Sequence, residues 1–424
     1  NALDAVNAAT AEVEVAEAVS NGLTGDGTDT QAAIDTVQGN RDAASPTLTA
    51  LPNSTAKTSL TNRLAAVQSA IDAAQVALDA VNAAIAEVEV AEVSADGLAG
   101  DGTDTQAAIN AAQSDRDAAS SAVTALPSST TKTSLDSRMT AVQSKIDDAQ
   151  SVLDQVNAAT AEVDAAEAAA NGLAEDGTDT QAAIDAAQGD RDAASPSVNA
   201  LPNSAAKTSL TSRLAGVQST IDDAQDALDA VNAATAEVEV AEAAANGLTG
   251  DGTDTQAAID TVQGNRDATS PTLTALPNST AKTSLTNRLA AVQSAIDAAQ
   301  VALDAVNAAI TEVEVAEAAA IGLAGDGMDT QAAIDAAQSD RDAASSAVTA
   351  LPSSTTKTSL DSRITAVQSK IDDAQSVLDQ VNAATAEVDA AEAAANGLAE
   401  DGTDTQAAID AAQGDRDAAS PSVT

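Results

Sequence analysis

Five short segments of the chain place a serine three residues before a lysine, and the first of them holds Ser54 and Lys57. In acyl-transfer enzymes this spacing can set a nucleophilic hydroxyl beside the amine that acts as its base. The accompanying motifs Ser-Asp-Asn and Lys-Thr-Gly are absent from the sequence. Each serine also follows a Leu-Pro pair, at a position where serine commonly caps a helix. We therefore predict that the pair is structural and that the protein is not an enzyme.

A glycine-rich loop with two aspartates is the second candidate for chemistry. Its sequence DGTDTQAAID, residues 26–35, recurs every 75 residues with only Asn110 and Met328 as substitutions. Two carboxylates per loop could gather a calcium ion, but the ligand spacing of an EF-hand and the tandem glycines of calcium-binding nonapeptides are missing. We interpret the loop as a structural turn and expect no cofactor. Weak calcium binding stays an alternative at Asp26, Asp29, Asp101 and Asp104.

The composition excludes several kinds of chemistry. The chain has no Cys, His or aromatic residue, and its 65 acidic against 18 basic residues give a net charge of -47. The missing Cys and His exclude thiol catalysis, zinc–thiolate sites and the usual proton shuttle. Without aromatic stacking, and with charge that repels phosphates, we expect no nucleic-acid partner. No apolar run approaches the roughly 20 residues that span a bilayer, so we expect no membrane insertion.

A long helix must carry the Ser-Lys segment. Apolar residues at 60–88 follow one another at steps of four and three, which is a heptad seam. Because residues 56–96 contain no Gly or Pro, we predict one helix of about 40 residues, roughly 60 Å long. Ser54 should cap its start. Gly97 followed by Leu98 predicts a Schellman stop, with the glycine in the left-handed conformation.

A second, shorter helix must follow the glycine-rich loop. Its heptad seam covers residues 34–51 and ends before a proline. Thr28 with Gln31 fits a capping box at its start, and the second aspartate of the loop is an alternative cap. Pro46 lies inside this segment, so we predict a kink or a new helix start with Ser45 as its cap.

Charged residues occupy one position of each seam. Pairing the two seams outward from the turn at Gly22 places the glutamate of the long helix opposite the arginine of the short one. We predict a partly buried ion pair that sets the register of two Ala-rich helices; an anion site at the arginine is the alternative. The predicted pairs are Glu17 with Arg41, Glu92 with Arg116, Glu167 with Arg191, Glu242 with Arg266, and Glu317 with Arg341.

The relative helix lengths predict the fold. The long helix is about twice the short one, so half of one long helix, a short helix and half of the next make an up-down-up bundle. We therefore predict an all-α fold of tandem three-helix bundles, joined by continuous long helices into an extended rod of roughly 180–200 Å. The predicted repeats are residues 1–75, 76–150, 151–225, 226–300 and 301–375, with an incomplete sixth at 376–424.

The segment LPNSTAKTSLTNRLAAVQSAIDAAQ, residues 51–75, resembles helical repeats of long bacterial surface and biofilm adhesins. The shared features are the Leu-Pro turn, Lys57, the pair Arg63-Leu64 and a following Val-Gln, and they return in every repeat with small changes. The resemblance implies a spectrin-like rod outside the cell or on its surface, serving as a stalk that holds an adhesive tip away from the cell.

Three functions are compatible with this pattern. The first is a non-enzymatic spacer in a bacterial surface protein. The second is a repeated module that binds calcium or a protein, and the third is a subunit of an extracellular filament. A binding module should expose an apolar or aromatic patch, and the apolar residues here follow the seams, which favours the spacer. The first residue falls within a repeat, so we expect neighbouring domains of a longer chain, or self-association, as partners.

Overall fold

The computed structural model describes residues 1–423, and within them it contains twelve α-helices, one 3₁₀ turn and no β-strand. The prediction of an all-α fold is confirmed. Long helices of 41 or 42 residues alternate with short helices of up to 20. The helices are α1 Ala2–Ser20, α2 Gln31–Thr49, α3 Thr55–Asp96, α4 Gln106–Thr124, α5 Thr130–Ala170, α6 Gln181–Ala200, α7 Ala205–Ala245, α8 Gln256–Ala275, α9 Thr280–Ile321, α10 Gln331–Thr349, α11 Thr355–Asn396 and α12 Gln406–Ala419, followed by the turn Ser420–Val423.

The contacts divide the chain into two compact units. Unit 1 contains residues 1–173 and 180–223, and unit 2 contains residues 174–179 and those from Ala224 onward. The division falls within the sequence of α7. The predicted boundaries at intervals of 75 residues stay a prediction.

Unit 1 is built from three-helix bundles, as predicted. In the first bundle, α1, α2 and the first half of α3 enclose one core that includes Val13, Ile34 and Leu64. In the second, the other half of α3 packs with α4 and the first half of α5 around a core that runs from Val81 to Leu153. One continuous helix, α3, therefore supplies residues to two successive cores.

Unit 2 repeats this arrangement. The first half of α9 contributes to one core and its second half to the next, which it shares with α10 and the first half of α11. The second half of α11 packs against α12 and the terminal turn. We call this last part, residues 376–423, the open unit, since two helices and a short turn make it up.

The seam of the long helix differs from the prediction at two positions. Ala77 and Ala84 are buried in α3, whereas Leu78 and Ile85, which the heptad count placed inward, are only partly buried. In a three-helix bundle each helix faces two neighbours, so its buried stripe is wider than a strict heptad seam. A small side chain at its centre lets the backbones approach closely, and the larger neighbour covers the edge.

The cap of the long helix is confirmed, and the cap of the short helix is wrong. Ser54 accepts a hydrogen bond from the backbone N–H of Lys57, at 3.1 Å. The short helix α2 is capped by Thr30, whose hydroxyl accepts from Ala33 at 3.1 Å. Neither Thr28 nor Asp29 caps it, because both side chains hydrogen-bond within the loop. The extended backbone of Thr30 points its hydroxyl at the free amides of the first turn.

The predicted Schellman stop is also wrong. Gly97 is right-handed, with φ of -74°, and Leu98 donates to the carbonyl of Ala95 at 3.2 Å. A tightened 3₁₀-like last turn therefore satisfies the carbonyls at the helix end. The left-handed glycines lie farther along, in the loop that follows, at Gly100 and Gly102.

The proline of the short helix does not interrupt it. Helix α2 continues through Pro46 to Thr49, so the predicted restart with Ser45 as a cap is wrong, whereas the predicted kink stays a prediction. Pro46 lies in the last turns on the exposed face, where the carbonyl that loses its N–H partner can bind water. In α4 the equivalent residue is Ser121, whose hydroxyl donates to the carbonyl of Asp117. Helix α4 has the same length as α2, 19 residues.

Candidate functional site: the junction between bundles

The glycine-rich loop rests on the middle of the long helix that follows it. In the first bundle the loop at residues 24–30 lies over the part of α3 where one core ends, at Ala74, and the next begins, at Val81. We call this place the junction.

Two aspartates fold the loop. Asp29 is buried, and its carboxylate accepts the backbone N–H groups of Thr24 and Gly25 at 2.9 and 2.8 Å. Asp26 accepts the hydroxyls of Thr24 and Thr28 and the N–H of Thr28, at 2.5–2.9 Å. These bonds, the one from the Thr24 hydroxyl first, lower the pKa of the Asp26 carboxyl to about 2. The carboxylates thus act as acceptors inside the loop.

A glycine brings the loop into contact with the helix. Gly27 has φ of 85°, and a Cβ placed there would lie 2.4 Å from the Cγ2 of Val81 and 3.1 Å from the carbonyl oxygen of Ala77. Only glycine fits both the conformation and the close approach. The same contact, with the same 2.4 Å, occurs at Gly102 with Val156, Gly177 with Val231, Gly252 with Val306 and Gly327 with Val381.

A reciprocal pair of glutamines closes the junction beside the loop. Gln31, in the first turn of α2, donates to Gln75 of α3 at 2.8 Å and accepts from it at 3.1 Å. Each amide also donates to an aspartate one turn farther along its own helix, Asp35 or Asp79. The same glutamine pair is formed by Gln106 with Gln150, Gln256 with Gln300, and Gln331 with Gln375.

The recurrent glutamate binds a different arginine from the predicted one. Glu17 of α1 accepts from Nε and Nη2 of Arg63, in the first half of α3, at 2.8 and 2.5 Å. These bonds lower the pKa of Glu17 against the opposing effect of desolvation. The observed pairs are Glu17 with Arg63, Glu92 with Arg138, Glu167 with Arg213, Glu242 with Arg288, and Glu317 with Arg363.

The predicted pairing with the short helix is therefore wrong. The prediction compared only the seams of the first and second helices of the bundle. The third helix places the planar guanidinium of Arg63 beside the carboxylate of Glu17, in bidentate geometry. Sequence reasoning noted Arg63 as part of a motif and missed its role. The arginines of the short helices instead donate to the aspartate next to them: Arg41, Arg116, Arg191, Arg266 and Arg341 bind Asp42, Asp117, Asp192, Asp267 and Asp342.

The arginine of the short helix has one buried, unpaired atom. Its Nε has no hydrogen-bond partner in the five complete bundles, at Arg41 and its equivalents. Its guanidinium is already bound to the carboxylate of Asp42, at 2.8 Å. That negative charge opposes an anion at the same place, so the geometry does not favour the alternative of an anion site.

The aspartates of the loop do not gather around a common centre. In the second repeat, Asp104 accepts from Ala99 and Gly100, and Asp101 accepts from Thr103, as their equivalents do in the first. Within residues 1–423, no group of three or more acidic residues is placed to hold a metal ion. Calcium binding by Asp26, Asp29, Asp101 and Asp104 stays a prediction that a titration can test.

The Ser-Lys segment joins two helix ends. The hydroxyl of Ser54 accepts the backbone N–H of Lys57, and the Lys57 ammonium donates to the carbonyl oxygens of Thr49 and Leu51 at 2.8 and 2.6 Å. The ammonium thus satisfies carbonyls at the end of α2, where a positive charge also favours the helix dipole. The lysine serves this end and does not contact the serine hydroxyl as a base would.

In the described part of the chain, α9 is the one helix that is long and apolar enough to cross a membrane, by length and composition alone. Its most apolar window has a mean hydropathy of 1.2. Its buried residues, from Leu285 to Ala320, belong to two successive bundle cores. The long helix α9 therefore contributes to the cores of two bundles, and the expectation of no membrane insertion stays a prediction.

Comparisons of the chain with protein-family models, with curated proteins and with solved structures gave no match. The resemblance to adhesin repeats therefore stays a prediction.

Proposed function

We propose that the protein is a non-enzymatic structural spacer in an extracellular or bacterial cell-surface protein, where its repeats hold a functional domain at a distance. The observation that carries this proposal is the uninterrupted long helix: α3, for example, contributes to one core through Leu64 and to the next through Val88. Bending at the junction would break helical hydrogen bonds and the contact between Gly27 and the helix. A junction of this kind would keep two successive bundles at a fixed separation.

The chemistry of the surface supports a spacer over a repeated binding module. The chain has no Phe, Tyr or Trp, the residues that most often anchor protein interfaces together with Arg. Its net charge of -47 favours solubility and opposes close lateral packing of copies in low salt. The recurrent polar groups are used inside the bundles: serines as caps, aspartates in loops and glutamates in ion pairs.

An internal deletion gives a direct test. Removing residues 26–250 takes out three 75-residue repeats and joins identical sequence, since NGLTG precedes both Asp26 and Asp251. If each repeat advances the chain by about 30–35 Å, the maximum dimension measured by small-angle scattering should fall by about 90–105 Å. Circular dichroism of both proteins, which should give the same helicity per residue, is the control.

A fall in the maximum dimension well below this range would mean that the repeats fold back on one another, and the spacer proposal would be wrong. Growth of the particle with protein concentration would instead favour the filament alternative. Calcium titration during thermal unfolding, at matched ionic strength, tests the repeated calcium module in the same two proteins.

A further inference from the structure

The second and fifth bundles have nearly the same sequence but differ at the ends of α3 and α9. Residues 76–150 and 301–375 differ at seven positions, and four of the seven lie within residues 93–103 and their equivalents. The surface at this helix end is therefore where the two bundles differ most. At the four positions the second bundle has Val93, Ser94, Asp96 and Thr103, and the fifth has Ala318, Ala319, Ile321 and Met328.

In the second bundle the polar groups at this helix end are bound within the bundle. Glu92 binds Arg138, and one turn later Asp96 binds the ammonium of Lys145. Both of these ion pairs join the end of α3 to the first half of α5. The end of α3 thus has two successive ion pairs with the third helix of its bundle.

In the fifth bundle the second ion pair is absent. Glu317 still binds Arg363, but Ile321 stands where the second bundle has Asp96. The hydrogen bonds from Arg363 lower the pKa of Glu317 against desolvation, and the charge of Lys370 lowers it further. Lys370, the equivalent of Lys145, therefore lies near the end of α9 without the carboxylate that its equivalent binds.

Lys370 is the one basic side chain without a hydrogen bond or ion pair in the described part of the chain. The other lysines donate to backbone carbonyls or, at Lys145, to Asp96. The arginines all bind glutamates or aspartates. In a chain with 65 acidic residues, this ammonium is thus left open to a carboxylate from another molecule.

An apolar side chain and a carboxylate lie beside this ammonium. Ile321 is 70% exposed at the end of α9. Glu314 is exposed two turns earlier, on the same face of that helix, and forms no ion pair among the described residues. We call Glu314, Ile321 and Lys370 the end patch. The end patch combines one charge of each sign with an apolar side chain.

We propose that the end patch is the contact surface of a homodimer, in which two copies of the chain join through their fifth bundles. The patch is self-complementary: about a twofold axis near Ile321, Lys370 of each copy would face Glu314 of the other. The second bundle does not offer this surface, because Asp96 binds Lys145 within one copy. Since each copy has a net charge of -47, salt that screens the general repulsion should strengthen the dimer.

Sedimentation velocity of the full chain, at increasing concentration in moderate salt, tests the proposal. It should show association that stops at two copies. Ile321→Asp recreates the ion pair of the second bundle and should weaken association at least about tenfold, and Lys370→Gln should also weaken it. Ala308→Asp adds the same charge at an exposed position on another face of α9, and it should leave association unchanged.

The reverse substitution in the second bundle gives an independent test. Asp96→Ile removes the carboxylate that binds Lys145 and should create a second end patch there, so this variant should form species larger than dimers. Combined with Ile321→Asp, it should again stop at two copies. In both variants the circular dichroism per residue should match that of the original chain.

Cross-linking identifies the residues in contact. A carbodiimide joins an ammonium to an adjacent carboxylate, and an equal mixture of unlabelled and isotope-labelled chains distinguishes links between copies from links within one. Lys370 should be linked to Glu314 of the other copy. Lys145 should be linked to Asp96 of its own copy, which is the internal control.

Three results would overturn the proposal. One is a monomer at all concentrations up to about 1 mM in moderate salt. Another is association that Ile321→Asp leaves unchanged, since a different surface would then join the copies. The third is the finding of Lys370 links only within single copies.

Discussion

The first bundle and the open unit have nearly the same sequence in their first two helices but differ in their contacts. Residues 26–35 and 401–410 are identical, and Thr30 and Thr405 cap their helices in the same way. Gly27 is pressed against Val81, whereas a Cβ added at Gly402 would meet no heavy atom within 4 Å. The comparison separates what a segment does alone from what the third helix adds.

The helix cap and the hydrogen bond to the first loop aspartate are the same in both regions. Asp401 accepts the N–H of Thr403 at 3.0 Å, as Asp26 accepts that of Thr28 at 2.9 Å. Burial is what changes, because the partner helix supplies it. We expect the stability of equivalent positions to differ accordingly, and paired substitutions in the two regions measure that difference.

The largest difference should come from the apolar core. Ile34→Ala should destabilise the first bundle by about 2–5 kcal/mol, because it leaves a cavity among three helices. Ile409→Ala, at the half-exposed equivalent, should cost less than about 1 kcal/mol. Hydrogen exchange followed by mass spectrometry gives the opening free energy of each region in one experiment. Equal losses at the two positions would contradict the role of the third helix in burying this residue.

The loop glycines should give an intermediate difference. Gly27→Ala combines a left-handed conformation with a Cβ 2.4 Å from Val81, so we expect a loss of about 2–4 kcal/mol at the junction. Gly402→Ala has the same kind of conformation, with φ of 81°, but open space, and should cost about 1–2 kcal/mol. The measurement is exchange in the middle of α3 and in α12. If Gly27→Ala were as mild as Gly402→Ala, the loop would not hold the junction.

The ion pair should give the smallest difference, and one that depends on pH. Glu17 and Arg63 are about one-third exposed, so Glu17→Gln should cost only about 1 kcal/mol at pH 7. Arg63 lowers the pKa of Glu17 below 4.5, so this contribution is present above about pH 5 and lost as the pH falls through the folded value.

Urea unfolding of the original and Glu17→Gln proteins at pH 7 and pH 3 checks this prediction. Hydrogen exchange in the first bundle monitors the unfolding of that region. Glu392→Gln is the matched control, because it makes the same change of net charge where no arginine is bound. A Glu17→Gln protein that loses as much stability at pH 3 as at pH 7 would show that the pair is not the cause.

Much of the fold followed from local patterns. The stretch between Pro52 and Gly97 contains no Gly or Pro and has apolar residues at heptad spacing, which predicted α3 as one helix of about 40 residues. Ser54 was predicted as its N-terminal cap. These features are readable because helix formation and capping depend on residues within one or two turns. The cap at Thr30 was missed for a related reason: Thr28 and Asp29 have the same chemistry, and only the loop hydrogen bonds distinguish the three.

The junction was less readable. The sequence repeats the loop faithfully, but its glycine is explained only by Val81, which comes from a different element. Likewise, the partner of Glu17 lies 46 residues away, on a third helix that a two-seam alignment leaves out. A comparison of all three helices of the bundle would have included Arg63.

By itself, the sequence determined where the helices lie, how long they are and that the same pattern of helices repeats every 75 residues. It also predicted the up-down-up order of the helices in each bundle. These features follow from the sequence because heptad spacing and helix-breaking residues act locally. Only the tertiary structure decided which arginine binds Glu17, that Ala77 and not Leu78 faces inward, and why Gly27 has to be glycine. Each of these depends on the distance between two backbones from different elements, and a residue pattern along one chain segment does not contain that distance.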